Sequence, residues 1–139
     1  MPRTAEQPLR LAVLGSGSSG NCVAVEGPDG IVLVDIGFSP RETRRRMELC
    51  GMAPASVRAV VLTHPDTDHL NSGWKKAVGG LTGPRLLVRA RHAETVRGMG
   101  YDHTWIDEFD GAFDRAGIRF DPFPMPHASL GSTAFRISV

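Results

Sequence analysis

The 139-residue sequence has only two cysteines, no long apolar run and no excess of either charge sign. Cys22 and Cys50 are too few for a disulfide scaffold, which excludes the small secreted folds that depend on one and favours a reducing compartment. No apolar run approaches the ~18 residues of a membrane-spanning helix, and residues 1–10 lack the apolar stretch of a signal peptide. We therefore expect a soluble, cytoplasmic protein with no membrane partner.

The charge balance and the length limit the classes of protein that this sequence can encode. Sixteen Lys and Arg against fifteen Asp and Glu give a formal charge of +1, so no strong field points to nucleic acid or an anionic membrane. The sequence has no internal repeat and no low-complexity tract beyond a short Gly/Ser run at 15–20. Since a chain of this length can bury roughly two thirds of its unfolded surface, we expect one domain over residues 1–139.

Apolar periodicity and turn residues predict a mixture of strands and helices, that is, an α+β chain. Ser39, Pro40, Glu42 and Gly51 mark the first helix as N-cap, first helical residue, capping-box partner and C-terminal stop. Further helices are predicted at about 70–78 and at 92–99. Strands are predicted at 9–14, 22–26, 31–35, 58–63, 85–90, 105–109, 118–123 and 133–139.

Four potential metal ligands, His64, Asp66, Asp68 and His69, directly follow the apolar strand predicted at 58–63. In an extended loop, alternate side chains point the same way, so His64, Asp66 and Asp68 can converge, with His69 beside them. Imidazole and carboxylate ligands suit zinc, manganese or iron, and the missing thiolates argue against a closed structural zinc site. The alternative is a helix N-terminus capped by Asp66 or Asp68, with both histidines in solvent.

The run Gly15-x-Gly17-x-x-Gly20 has the glycine spacing of a dinucleotide-binding loop, with Asp35 twenty residues after Gly15. Residues 21–30 are β-prone, broken by a turn and too short for the crossover helix of that fold. We therefore expect the glycines to be structural, with Asn21 making a local hydrogen bond. Asp35 is either an ordinary acid at a strand end or a group that orients a metal ligand.

The remaining histidines, arginines and cysteines have simpler explanations. His127 lies in a proline-bounded loop and is expected to be in solvent unless a metal site needs another nitrogen ligand. His92 and His103 have no partner at ligand spacing and are predicted to lie on the surface. The arginines of the first helix, Arg41 and 44–46, are most simply a solvated face, and both cysteines are predicted to be small core residues.

Taken in order, the motifs resemble those of the metallo-β-lactamase superfamily. Leu14–Cys22 is similar to the opening of its exonuclease-like branch, and Val34–Phe38 is similar to the first motif of the superfamily. Leu62–His69 is similar to the signature Thr-His-x-His-x-Asp-His, except that Asp66 stands in the place of the second histidine. The segment Pro124-Met-Pro-His127 is similar to the third motif.

This resemblance implies the fold and the chemistry. The fold is a four-layer αββα sandwich, of which this chain matches the first half plus one or two strands; the later ligand motifs would lie beyond Val139. The implied activity is metal-dependent hydrolysis, with a phosphodiester in nucleic acid as the expected substrate. One or two zinc ions, or else manganese or iron, are the expected cofactors. A bound metal lowers the pKa of its water from about 15.7 toward ~7 and so supplies hydroxide.

The resemblance also assigns roles to residues. His64, Asp66 and His127 would bind the first metal. Asp68 and His69 would bind a second, and Asp68 is also the catalytic residue that orients the nucleophile. The substitution of Asp66 for histidine would favour harder metals.

Asp35 and Thr63 would support the ligand loop without touching the metal. The competing hypothesis is a non-catalytic metal-binding or structural half-domain that requires a missing carboxy-terminal half or a partner chain. Because the strand predicted at 133–139 has one apolar face and no terminating turn, we also expect self-association through an incomplete sheet.

Overall fold

The computed structural model describes residues 8–77, 84–126 and 131–139, which form two β-sheets and three α-helices. The helices are α1 (Pro40–Leu49), α2 (Trp74–Ala77) and α3 (Ala90–Gly98). The strands are β1 (Arg10–Gly15), β2 (Cys22–Gly27), β3 (Gly30–Val34), β4 (Val57–Val61), β5 (Arg85–Arg89), β6 (Ile106–Phe109), β7 (Phe113–Arg115), β8 (Ile118–Met125) and β9 (Ser132–Ser138). Short 3-10 helices cover Pro54–Ser56 and His103–Trp105.

The first sheet has the strand order β1-β2-β3-β4-β5-β6. Strands β1 to β3 are antiparallel, and the hairpin predicted between β2 and β3 is confirmed, with Gly27 paired with Gly30. Strands β3 to β6 run parallel, so the segments that follow β3 and β4 leave the sheet at the same edge. At this edge the backbone N–H of Asp35 donates to Val61 at 2.8 Å, which brings the two segments together.

Helix α1 begins and ends as its sequence predicts. The Ser39 hydroxyl accepts a hydrogen bond from the Glu42 backbone N–H, Pro40 is the first helical residue, and Gly51 takes a left-handed φ of 71° beyond the C-terminus. The predicted capping box is only half formed, because the Glu42 carboxylate binds Arg45 and Arg46. These contacts, with the Arg45 hydrogen bond as the largest cause, lower the pKa of Glu42 to about 2.

The second helix starts later than the sequence predicts. Leu70 forms a parallel bridge with Ile36, and the Asn71 backbone N–H donates to the carbonyl of Ile36 at 2.7 Å. Because this backbone pairs with the segment after β3, α2 begins only at Trp74. The predicted end at position 78 lies outside the described residues.

The second sheet, in the order β7-β8-β9, is antiparallel and packs on one face of the first sheet. Its aromatic side chains cluster at this interface. Phe113 stacks on Phe120 at 5.1 Å within the second sheet, and Phe109 of β6 lies 5.6 Å from Phe135 across the interface. Strand β7 has only three residues and was not predicted. The opposite face of the first sheet packs against α1 and α3.

The described residues therefore form three layers, helices on a sheet on a second sheet. This confirms the α+β class and agrees with the first three layers of an αββα sandwich. Among the described residues, no helix has the length and the apolar character to cross a lipid bilayer.

Three predictions of burial or exposure are wrong. His92 is fully buried because it lies one helical turn before Val96 on the inner face of α3, with its Nε2 3.2 Å from the carbonyl of Gly131. Cys50 is exposed because it follows the last turn of α1. Arg46 does not belong to a solvated face: its guanidinium donates to the Leu14 carbonyl at 2.7 Å.

Candidate metal centre

The segment after β4 brings three candidate ligands together. One ligand atom each from His64, Asp68 and His69 lies within 4.8 Å of the others. His64 is buried, whereas Asp68 and His69 are partly exposed, so the cluster sits at the surface end of the sheet with access from solvent.

A tight turn, rather than an extended loop, produces this convergence. The backbone N–H groups of His69 and Leu70 both donate to the carbonyl oxygen of Asp66 at 2.9 Å. The turn folds His69 back onto His64, and the two imidazole ring centroids are 3.8 Å apart. His64, Asp68 and His69 therefore converge as expected, with Asp66 outside the cluster, but a turn at 66–69 replaces the extended loop that was expected to bring them together.

Asp35 fixes the orientation of His69. Its Oδ1 accepts from the Thr63 backbone N–H at 2.8 Å, and its Oδ2 accepts from the Thr63 hydroxyl at 2.7 Å. The same Oδ2 lies 2.6 Å from His69 Nδ1. Asp35 adopts a left-handed φ of 65°, which aims its carboxylate across the sheet edge.

The contact with Asp35 also shifts the pKa of His69. Burial alone would lower the pKa of His69, but the hydrogen bond and negative charge of Asp35, together with Asp68 and Asp66, raise the pKa above its usual value. In the neutral ring, the proton on Nδ1 is held by Asp35, so the lone pair lies on Nε2. That Nε2 is 3.7 Å from Asp68 Oδ2.

Thr63 and Ser132 orient His64. Because the Thr63 hydroxyl proton goes to Asp35, the Thr63 oxygen can accept from His64 Nδ1, which lies 3.0 Å away. Ser132 Oγ, at the start of β9, is 3.4 Å from the same nitrogen. In the tautomer with the proton on Nδ1, His64 presents its lone pair on Nε2, the atom that is 3.3 Å from Asp66 Oδ2.

The structure thus brings together five of the seven residues that the sequence singled out: His64, Asp68, His69, Asp35 and Thr63. Asp66 reaches His64 but lies outside the three-residue cluster, and its side chain is 56% exposed. His127 lies outside the described residues. The alternative that Asp66 or Asp68 caps the second helix is wrong, because α2 begins only at Trp74.

Sequence reasoning missed two contacts at this site. The local hydrogen bond expected of Asn21 is confirmed by its contacts with Gly17, and its amide also reaches the carbonyl and carboxylate of Asp68. The contact between Ser132 and His64 was not predicted. The pattern Gly-Asn after a glycine-rich loop is a signal for the first contact, whereas nothing in the local sequence points to the second.

The chemistry of the donors fits a divalent metal ion. Two imidazoles, each with its Nδ1 occupied by an oxygen partner, present Nε2 lone pairs beside a carboxylate. Such a set suits zinc, and also manganese or iron. The oxygen partners of Nδ1 are the kind of supporting contact that metal-binding histidines make.

Comparison with known families agrees with this arrangement. The sequence model of the metallo-beta-lactamase superfamily matches residues 15–129. The chain belongs to this superfamily. The matched range includes the glycine-rich loop, Asp35 and the whole segment from His64 to His69. A search of curated proteins returned no significant match.

Several solved metallo-beta-lactamase folds resemble this chain. A B3 metallo-beta-lactamase with an active-site glutamic acid superposes with a TM-score of 0.73 at 16% identity, over 91% of this chain and 53% of its own. The fold protein YhfI from Bacillus subtilis gives 0.68 at 20% identity, over 95% and 59%. A diphosphatase from the PhnP family gives 0.66 at 19% identity, over 91% and 61%. This superfamily member therefore spans a little more than half the length of these relatives.

Proposed function

We propose that this chain provides the metal centre of a metal-dependent hydrolase that cleaves phosphodiesters. The observation that carries the proposal is the cluster of His64, Asp68 and His69, whose ligand atoms lie within 4.8 Å of one another. Membership of the metallo-beta-lactamase superfamily supports hydrolysis as the reaction class. Zinc, in one or two ions, is the proposed metal, with manganese or iron as alternatives.

The proposal gives each residue a role. His64 and His69 bind metal through Nε2, and Asp68 binds through a carboxylate oxygen and orients the attacking water. Asp66 and His127 are proposed as further ligands of the metal ion that His64 binds. A divalent metal there would polarise the scissile bond and acidify water.

Asp35 and Thr63 act on the ligands rather than on the substrate. The Asp35 carboxylate holds the proton on His69 Nδ1, and Thr63 links that carboxylate to His64 Nδ1. Both imidazoles are thereby held in the tautomer that ligation needs, before any metal arrives. Preorganisation of this kind lowers the cost of ordering the ligands on binding.

A phosphodiester is the proposed substrate class, and nucleic acid is the proposed source of it. The resemblance of the fold to a diphosphatase from the PhnP family supports chemistry at phosphorus. Because the fold also resembles a B3 metallo-beta-lactamase, a β-lactam is the alternative substrate against which the phosphodiester should be compared. A cytoplasmic location is part of the same proposal, consistent with the free thiols of Cys22 and Cys50.

The test is a hydrolysis assay on the purified chain loaded with zinc or manganese. Bis(p-nitrophenyl) phosphate serves as the phosphodiester and a chromogenic cephalosporin as the β-lactam. Turnover of the phosphodiester by this chain is expected to be slow, and a His64→Ala, His69→Ala double variant should lose it. Turnover that persists in this variant, or turnover of the β-lactam alone, contradicts the proposal.

A second candidate function is favoured by the apolar face that the second sheet leaves uncovered. Leu11 and Val13 of β1 pair with Val25 and Val23, so they point to the inner side of the first sheet, yet they are 58% and 66% exposed. We propose that a non-catalytic half-domain, which binds metal or is purely structural, associates with a second copy of the chain through this face. The edge of β1 is also unpaired within the described strands, which favours pairing between copies.

Light scattering tests this second candidate. We expect a dimer or larger assembly that a Leu11→Lys, Val13→Lys variant dissociates. Leu49→Lys is the matched control, because Leu49 is even more exposed, at 73%, but lies on α1. A monomeric parent chain, or an assembly unaffected by the β1 variant, contradicts the candidate.

A further inference from the structure

Asn21 connects the glycine-rich loop to the candidate metal centre. We propose that Asn21 is a positioning residue that sets the orientation of the Asp68 carboxylate and thereby strengthens metal binding. The inference rests on the proposed function, because it assumes that Asp68 ligates the metal. It gives the Gly15–Gly20 loop a role that neither dinucleotide binding nor simple chain reversal provides.

The side chain of Asn21 makes contacts on two sides. On the loop side, its Oδ1 accepts from the Gly17 backbone N–H at 3.0 Å, and its Nδ2 donates to the Gly17 carbonyl at 2.8 Å. On the other side, Nδ2 lies 3.1 Å from the carbonyl oxygen of Asp68 and 3.3 Å from its carboxylate Oδ2. One Nδ2 proton thus serves Gly17, and the second is shared between the two oxygens of Asp68.

These partners determine which way the amide faces. If the oxygen and nitrogen of Asn21 were exchanged, the nitrogen would face the Gly17 N–H donor and the oxygen would face acceptors on Gly17 and Asp68. Only one orientation satisfies every partner, and it directs the N–H groups toward Asp68. The backbone N–H and carbonyl of Gly17 therefore fix the orientation of the Asn21 amide. Gly17 itself has a φ of 115°, a conformation that favours glycine.

The backbone around Asn21 is fixed as well. Its N–H donates to the Asp68 carbonyl at 2.8 Å, and its carbonyl accepts from the Gly37 N–H at 2.9 Å. A Cβ on Gly37 would overlap the carbonyl oxygen of Asp68, so the three segments approach as closely as glycine allows. Asn21 consequently has little freedom to move relative to Asp68.

The fixed position of Asn21 restrains the carboxylate of Asp68. Its Oδ2 receives the Asn21 N–H and lies 3.7 Å from His69 Nε2, on the side where the cluster converges. Without the amide donor, the carboxylate gains rotational freedom that metal binding must remove. Supporting hydrogen bonds of this type are typically worth about 10–100-fold in metal affinity.

Zinc affinity, measured by competition with a chromophoric chelator, tests the inference. We expect Asn21→Ala to weaken zinc binding by about 10–100-fold. Asn21→Ser is a second variant, whose hydroxyl is too short to reach Asp68. Asn71→Ala is the matched control: Asn71 Oδ1 accepts from Gly73 N–H at 2.9 Å in a similar turn that does not include Asp68. The control should stay within about twofold of the parent.

A double-mutant cycle separates positioning from a general loss of structure. If Asn21 acts through Asp68, Asn21→Ala should change zinc affinity less than about twofold in an Asp68→Ala background. The Co²⁺-loaded chain adds a spectroscopic readout, because a displaced carboxylate changes the ligand field and the visible absorption. Circular dichroism of the metal-free variants checks that each one is folded, and Asn21→Ser decides the outcome if Asn21→Ala is not.

The possible failures can be told apart. If the parent binds no zinc, or Asp68→Ala binds zinc as tightly as the parent, the proposed function is wrong. The inference about Asn21 is then wrong as well, because it assumes that Asp68 ligates the metal. If the parent binds zinc and Asp68→Ala weakens it, but Asn21→Ala and Asn21→Ser match Asn71→Ala, the inference alone is overturned. Equal losses from Asn21→Ala with and without Asp68 also overturn it.

Discussion

The Nδ1 atom of His69 lies 2.6 Å from Oδ2 of Asp35, across the edge where β3 and β4 end. The two residues are 34 positions apart, and the parallel pairing of these strands is what brings them together. The contact gives His69 a fixed ring orientation and a raised pKa, against the opposing effect of burial. The candidate metal centre is therefore built into the first sheet and not only into its own loop.

Asp35→Asn should weaken zinc binding by about 10–100-fold while the chain stays folded. Asparagine tolerates the left-handed φ of position 35, but its amide must turn a donor toward either the Thr63 N–H or His69. Chelator competition measures the change, with Asp121→Asn on β8 as the control because the Asp121 carboxylate contacts the nearby Arg119 and not the metal centre. Equal affinities for the two variants would show that Asp35 has no influence on the ligands.

Asp66→His should shift the preference of the site from manganese toward zinc. Asp66 Oδ2 is 3.3 Å from His64 Nε2, so the new imidazole would lie beside the cluster. Because imidazole is a softer ligand than carboxylate, the zinc-to-manganese affinity ratio should rise. A competition titration that gives the same ratio for variant and parent would place Asp66 outside the ligand set.

Gly37→Ala should destabilise the chain and weaken the metal centre together. The added methyl would overlap the Asp68 carbonyl, which is backbone and cannot swing aside. Overpacking of this kind costs about 1–3 kcal/mol, which corresponds to a fall in Tm of about 3–12 °C. Gly111→Ala is the matched control, since a Cβ there meets nothing within 4 Å. A Tm for Gly37→Ala equal to that of the control would contradict the packing described here.

The two cysteines should react with thiol reagents at very different rates. Burial, together with the charge of Asp35, raises the pKa of Cys22 to about 12, whereas Cys50 is exposed. At pH 8 almost none of Cys22 is thiolate, so the folded chain should show one fast thiol and the denatured chain two. Two thiols that react at the same rate in the folded chain would contradict the buried position of Cys22 in β2.

Local sequence patterns predicted most of the fold because most elements carry their own signals. Ser39, Pro40 and Gly51 mark α1 at both ends, and the turn at 27–30 marks the β2–β3 hairpin. Strand β7 carries no such signal in its three residues, since its formation depends on pairing with β8. The late start of α2 has the same origin: Leu70 is taken up by a bridge to Ile36, a partner 34 positions away.

The candidate site was predictable as a list of residues but not as an arrangement. Spacing drew attention to His64, Asp68 and His69, whereas the turn that unites them depends on the carbonyl of Asp66 accepting two backbone N–H groups. The link from Asn21 to Asp68 spans 47 positions, so no local pattern could reveal it. His92 shows the converse error, because the phase of α3, and not the residue type, determines its burial.

The content of zinc in the purified chain tests the central claim most directly. After loading and removal of excess metal, elemental analysis should find about one zinc per chain or more, and a His64→Ala, His69→Ala double variant should lose it. His103→Ala should keep it, because His103 is an exposed histidine in a 3-10 helix away from the cluster. Equal zinc content in the parent and the double variant would contradict the metal centre proposed at His64, Asp68 and His69.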